Sequence, residues 1–358
     1  MNRRAIASPR RRPFAAVGCL LLVAASAALG QEPTPLFDAA KPAAGLKNVV
    51  TVSASGGQFK TVVEALASIT NASTSNRYMV FVGPGRYSGR VVMKPYVDLV
   101  GSGQYVTTLS ATGGSSPQAA AVVRTATSSQ IRSLTISNTG EAPLAVGVHT
   151  AAGTIGDLRD VFVATRGGTA QTYGIYSDGV AVALDLVSVS VDGGSSASSA
   201  VHVAAGGAVI YRSWMLAIGA TGQGLYKASP GGTLLLEHSY VSGPIGVNLA
   251  AQVAFKALAS EINGKTIALR CAGCIGYTVA TIVAATSAQS RGVECTLGTL
   301  EIQGGQVSAS GATVFAAPGT QVRVANALLK GGPAGGGGTL RCAGVTDESF
   351  AFYPNACP

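Results

Sequence analysis

A short motif recurs along most of this chain: a small residue, an apolar one, an outward one, then a Gly-rich turn. It reads VGVHT at 146–150, YGIYS at 173–177, SAVHV at 199–203, QGLYK at 223–227, IGVNL at 245–249, IALRC at 267–271, RGVEC at 291–295 and ATVFA at 312–316. Its apolar centres are Val148, Ile175, Val201, Leu225, Val247, Leu269, Val293, Val314 and Leu340, at steps of 27, 26, 24, 22, 22, 24, 21 and 26 residues. A second β run follows inside the units, as in LRDVFVA (158–164), ALDLVSVSV (183–191) and LLLEHSYVS (234–242). A period in the low twenties holding two or three short strands is one coil of a parallel β-helix. Coils stack about 4.8 Å apart, so inward residues form ladders of like type, and the ladder here is Val, Ile and Leu. A leucine-rich repeat would need a regular Leu and Asn consensus that is absent, and a β-sandwich would not repeat like with like. The expected fold is all-β, a right-handed parallel β-helix.

A solenoid needs both ends covered, because its terminal coils expose apolar core and open strand edges. FKTVVEALASI at 59–69 places Phe59, Val62, Val63, Leu66 and Ile69 on one helical face, which predicts an N-terminal capping helix. The segment 342–358, bounded by Cys342 and Cys357, is expected to close the other end.

The net charge of +9 is misleading as a clue to partners. Arg3, Arg4, Arg10, Arg11 and Arg12 precede the apolar run FAAVGCLLLVAASAALG, the layout of a secretory signal peptide cleaved near Gly30. Losing those five arginines leaves +4 and no basic cluster that would suggest nucleic acid. No run is long enough to span a membrane. The expected layout is a signal peptide at 1–30, a linker at 31–48, the β-helix at 49–341 and a cap at 342–358. The expected protein is a monomer, secreted, periplasmic or held at the cell surface.

Two stretches near the N-terminus, VTVSASGGQFKTVVEALASI (50–69) and RYMVFVGPGRYSGRVVMKPYVDLVGSG (77–103), carry a family pattern. Gly57, Phe59, Thr61, Val62, Glu64, Ala65, Arg77, Tyr78, Val82, Gly85, Tyr87, Gly101 and Gly103 match it, and IRSLTISNTG (131–140) continues it. In these positions the chain resembles the N-terminal part of pectin methylesterases, within the pectin lyase-like superfamily. The resemblance implies the β-helical fold with a helical cap over its first coils.

That family's chemistry needs one Asp as nucleophile, a second as acid, an Arg holding the nucleophile, and Gln side chains for the oxyanion. Here Leu144 stands at the first Gln position, AQTYGIY (170–176) and SSAVHVAAGG (198–207) lack the two Asp, and the sole Trp, Trp214, follows YRS where the family reads L-G-R-P-W. No catalytic residue is expected on these coils. The alternative reading is a carbohydrate esterase, acting on a methyl-esterified uronic-acid polymer with groups placed elsewhere. Asp157, Asp160, Asp178, Asp185, Asp192 and Glu237 scatter over turns and coil positions. Asp160 falls opposite Ser133, Leu186 and Arg212, so the paired carboxyls of a glycosidase are not expected.

Five cysteines follow the leader, all in the last quarter. The tail CAGVTDESFAFYPNACP resembles endings of other secreted bacterial β-helix proteins, which implies a Cys342–Cys357 bridge. Cys271 and Cys295 each follow an inward apolar residue by two positions, which predicts a second bridge between adjacent coils with Cys274 as the odd thiol. CAGC also has metal-ligand spacing, but no His follows it, and an exported chain favours disulfides. No metal and no other cofactor is expected.

One position beyond each apolar centre lies an outward column: His149, Tyr176, His202, Tyr226, Asn248, Arg270, Glu294, Phe315 and Arg341. Its first four members alternate His and Tyr in a chain with only three histidines. Such a column suits a glycan strip, rings against the apolar faces of sugars and polar tips on hydroxyls. The plainer reading is cross-strand stacking that only stabilises the sheet. The expected function is a non-catalytic, exported β-helix that binds polysaccharide or another cell-surface polymer, or serves as a surface structural module.

Overall fold

The computed structural model describes residues 48–194, 196–250 and 252–358; the expected leader, and the linker apart from Asn48, lie outside the described residues. Strands one coil apart pair in parallel, and the inward column sets their register. Val123, Val148, Ile175, Val201, Leu225, Val247, Leu269, Val293 and Val314 lie opposite one another in turn, all buried. The result is a parallel β-solenoid of about ten turns. Burying each such side chain contributes about 1.5–3 kcal/mol, so the ladder is a main source of stability.

Each coil has three faces. In one coil the strand Ala181–Asp185 lies in the second sheet, Ser188–Asp192 in the third, and Ala197–Val203 in the first, which carries the repeated motif. The small residue of the motif has a steric cause. A Cβ on Gly174 would sit 2.2 Å from Val189 Cγ1 and 2.6 Å from the Ala200 carbonyl oxygen. On Gly224 it would sit 2.4 Å from Val241 Cγ1. The first sheet presses there against the third.

Between the second and third sheets the chain turns on single left-handed residues. Ser133, Asp160, Leu186, Arg212, His238, Ala259, Ala280 and Asn326 have φ between 43° and 55°. Asp160 thus shares its column with Ser133, Leu186 and Arg212, as the sequence indicates. A hydroxyl ladder secures this corner from inside. Ser213 Oγ accepts from the Val187 amide at 3.1 Å, Ser239 Oγ from Ser213 at 3.1 Å, and Ser260 Oγ from Ser239 at 3.2 Å. Each hydroxyl donates to the carbonyl two residues back, so the buried backbone groups of the turn are satisfied.

Helix α1 (Val62–Ser68) covers the first coils, and its N-cap Thr61 accepts from the Glu64 amide at 3.2 Å. Val62, Leu66 and Ile69 are buried as expected, and Phe59 packs against the core. Val63 is exposed instead, because Ala65 completes the buried face at the helical spacing 62, 65, 66, 69. At the other end Cys342 and Cys357 are bonded, with Cα atoms 5.2 Å apart. Val345–Thr346 and Phe352–Tyr353 form an antiparallel pair within the segment they close. Asp347 organises it, accepting from Ser349, Ala351 and Tyr353, and these bonds hold its carboxyl down at about 2.

Two expectations are corrected. Cys271 and Cys295 do lie opposite each other, but Cys271 is bonded to Cys274 and the buried Cys295 is free. In-register parallel neighbours hold their Cβ vectors side by side at the coil spacing of about 4.8 Å, wider than the 3.5–4.5 Å a disulfide prefers. The irregularity between Cys271 and Cys274, with Gly273 at φ 128°, turns the chain back so that those two meet. Leu340 is not the ninth centre either. Val314 is opposite Ala334 in the Gly-rich strand Ala334–Gly336, and Leu340 belongs to the second sheet opposite Val322. Arg341 accordingly lies beside Arg323, away from the outward column.

Candidate functional site

The outward column of the first sheet is continuous over nine coils. Arg124, His149, Tyr176, His202, Tyr226, Asn248, Arg270, Glu294 and Phe315 lie opposite one another in turn. The ring centroids of His149 and Tyr176 are 5.8 Å apart, of Tyr176 and His202 4.9 Å, and of His202 and Tyr226 4.9 Å. Tyr176 and His202 are nearly parallel, 14° between planes, whereas Tyr226 stands edge-on to His202 at 77°.

This geometry alters the expected strip in two ways. Stacking along the helix axis turns one face of Tyr176 and one of His202 toward each other, and His202 Nδ1 is buried without a hydrogen-bond partner. His149 is 0% exposed and takes no part in the surface. It packs between Arg124 and Tyr176, with Nε2 3.2 Å from Asp178 Oδ1, at ion-pair distance but not aligned for a hydrogen bond. The open strip therefore consists of Tyr176, His202 and Tyr226, all half-buried.

Four residues join the site that the repeat alone does not show. Tyr173, 6% exposed, places its ring 5.2 Å from Tyr176 and 4.7 Å from His202, and packs with Ala120, Ala121 and Val146 outside the main core. Helix α2 (Pro117–Ala120) supplies Ala120 to that cluster. Asp178, two residues past Tyr176, sits beside His149. Arg124 begins the ladder one coil before the first recognised motif. Lys227, next to Tyr226, points inward and is wholly buried between Val203 and Leu249, its Nζ donating to Ser229 Oγ at 3.0 Å.

Burial keeps the rings of this cluster neutral. It lowers His202 to about 4, with the Lys227 cation acting in the same direction. It lowers His149 as well, against the pull of Asp178, and raises Tyr173 to about 12. Lys227 is itself lowered by burial. At neutral pH His202 is therefore uncharged, and the row of rings is headed by the Arg124 guanidinium. Beyond Tyr226 the column turns polar and self-paired. Asn248 donates to Gln223 at 2.9 Å, Arg270 and Arg291 reach Glu294 at 3.3 and 2.8 Å, and Arg291 lies 4.1 Å from the Phe315 ring centre.

Four other acids have partners within the fold. Asp157 pairs with Gln130 and Arg159, Asp160 accepts from Gln104, Asp185 holds Arg212, and Asp192 accepts from the Gly194 amide. They lie in corners and strands away from the ring strip.

No protein-family model matches the chain, and no characterised protein matches it in sequence. Solved structures do. The mannuronan C-5 epimerase AlgE4 A-module of Azotobacter vinelandii is 13% identical at a TM-score of 0.47, over 80% of this chain and 91% of that one. Pectin methylesterase from carrot is 15% identical at 0.37, over 83% and 82%. The Dettilon tailspike protein is 11% identical at 0.47, over 84% and 69%. Likeness at this level carries no residue role from those proteins to this one.

Proposed function

We propose that this protein is an exported, non-catalytic β-helix that holds a polysaccharide chain along Tyr176, His202 and Tyr226. The observation that carries the reading is the uninterrupted row of neutral rings, one per coil, at close to 4.9 Å steps on one face. Repetition at a fixed step suits an extended polymer better than a compact small molecule. The Tyr176 and Tyr226 hydroxyls give hydrogen bonds to sugar hydroxyls, and the half-open Tyr226 ring gives an apolar contact. Affinity on such a shallow strip is modest, because little surface is desolvated. Export rests on the Arg-rich, apolar leader, and two disulfides accord with an oxidising compartment.

The non-catalytic half of the reading rests on the sequence resemblance to pectin methylesterases, which places Leu144 where those enzymes need a Gln, with no carboxylate pair beside the strip among the described residues. Methanol release from methylated pectin tests it. The secreted chain is expected to release none above a buffer control, and release would establish the carbohydrate-esterase alternative.

A further inference from the structure

A second aromatic pair lies on the third sheet, around the corner from the ring strip. Trp214 and Tyr240 are opposite each other on adjacent coils, with ring centroids 4.1 Å apart and planes at 27°. Trp214 is 51% exposed, an unusual outlay of apolar surface for the sole tryptophan of the chain. Tyr240 forms one wall of an open groove of about 830 Å³ that crosses successive coils toward Lys265. That volume falls in the range of ligand sites. Its floor carries Ser242 and Asn263, opposite each other on neighbouring strands. Asn263 donates to Glu261 at 2.7 Å, which fixes the amide, and Glu261 itself lies opposite Tyr240 on the next coil. Lys265, exposed at the far end, has no carboxylate within ion-pair distance among the described residues.

We propose that this groove is a separate binding site for a uronate-bearing polysaccharide. One sugar packs against the Trp214–Tyr240 pair, hydroxyls meet Ser242 and Asn263, and a carboxylate farther along the chain reaches Lys265. From Tyr240 to the level of Lys265 is four residues along the strand and one coil across, about 14 Å. A compact anion such as phosphate cannot bridge that length, whereas an extended acidic chain does. The apolar wall, the polar floor and the unpaired cation are the complementary parts of such a ligand.

Trp214 provides its own readout. Titrating the full chain with an oligogalacturonate is expected to give a saturable change in tryptophan emission, and a neutral cello-oligosaccharide of equal length a weaker one. Lys265→Gln should weaken the acidic ligand about fivefold, the scale of one exposed charge pair, and leave the neutral one unchanged. Tyr240→Ala should weaken both, about tenfold, while Tyr240→Phe retains binding and controls for folding. Tyr176→Ala/Tyr226→Ala should leave the emission response in place, since the groove uses neither ring. A response lost in that double variant would belong to the strip and overturn the groove. No emission change with either sugar, or equal binding by Lys265→Gln, would overturn it as well.

Discussion

Tyr176 and His202 stack face to face on adjacent coils, their ring centres 4.9 Å apart and their planes only 14° from parallel. Each ring covers one face of the other while Tyr173 packs edge-on against His202 at 4.7 Å, and the pair both stabilises the first sheet and builds its surface. Tyr176→Ala removes this stack together with the contact to Tyr173, and should cost about 1–2 kcal/mol in denaturant unfolding. Tyr176→Phe keeps both ring contacts and should stay within about 0.5 kcal/mol of the parent. Equal losses for the two would show that the hydroxyl, and not the stack, is what matters.

Stability should fall on mild acidification. His202 sits at about 4 in the fold, against about 6.5 when free, because burial disfavours its charged form. Between those values the unfolded chain binds a proton that the folded chain refuses. The contribution of neutral His202 is therefore complete above about pH 6.5 and is lost as pH falls toward 4. His149, lowered for the same reason, adds in the same direction. The melting temperature should drop from pH 7 to pH 4, and His202→Gln should flatten part of that slope. An unchanged slope in the variant would assign the effect to other groups.

Lys227 is a cation buried in an apolar ladder, with Ser229 as its side-chain partner. Replacing a buried charge by an apolar group of similar volume is often neutral or stabilising. Lys227→Met should match or exceed the parent in unfolding free energy, whereas Lys227→Ala should cost about 2–3 kcal/mol through the cavity it leaves. The same Lys227→Met chain should show a raised His202 pKa in an NMR titration, since a repelling cation has gone. A strongly destabilised Lys227→Met would mean that the ammonium is needed by the turn at 228–232.

Non-reducing peptide mapping should find Cys271 joined to Cys274 and Cys342 joined to Cys357. Cys295 should resist alkylation in the native protein, because it is buried and its thiol is pushed up to about 11. It should react at once in denaturant. Cys357→Ser should loosen the C-terminal segment to protease and cost about 3 kcal/mol, the loop-entropy value for a closure of this size. Native labelling of Cys295 at neutral pH would contradict the packing around it.

The sequence was most informative where period and side-chain type repeat together. The inward ladder from Val148 to Val314 was readable because each coil must present an apolar residue at one height. It misled at Leu340, because the last coil replaces its motif with Ala334–Gly336, a strand almost without side chains to recognise. Tyr173 escaped strict alternation because both Gly174 and Ile175 face the interior, which throws Tyr173 and Tyr176 to the same side. The burial of His149 depends on what Arg124 and Asp178 place around it, and no local pattern encodes that. Face-to-face stacking was likewise invisible, since the residue types at a column do not fix the orientation of the rings.

Retention on immobilised polygalacturonate and pectin, compared between the full chain and its Tyr176→Ala/Tyr226→Ala variant, tests the polysaccharide strip most directly. Far-UV spectra of both should be the same, because both side chains lie outside the main core. The parent should be retained, the double Ala variant should bind about tenfold more weakly, and Tyr176→Phe/Tyr226→Phe should bind nearly as the parent does. Equal retention of the parent and the folded Ala variant, or no retention of either, would contradict a polysaccharide strip on this face.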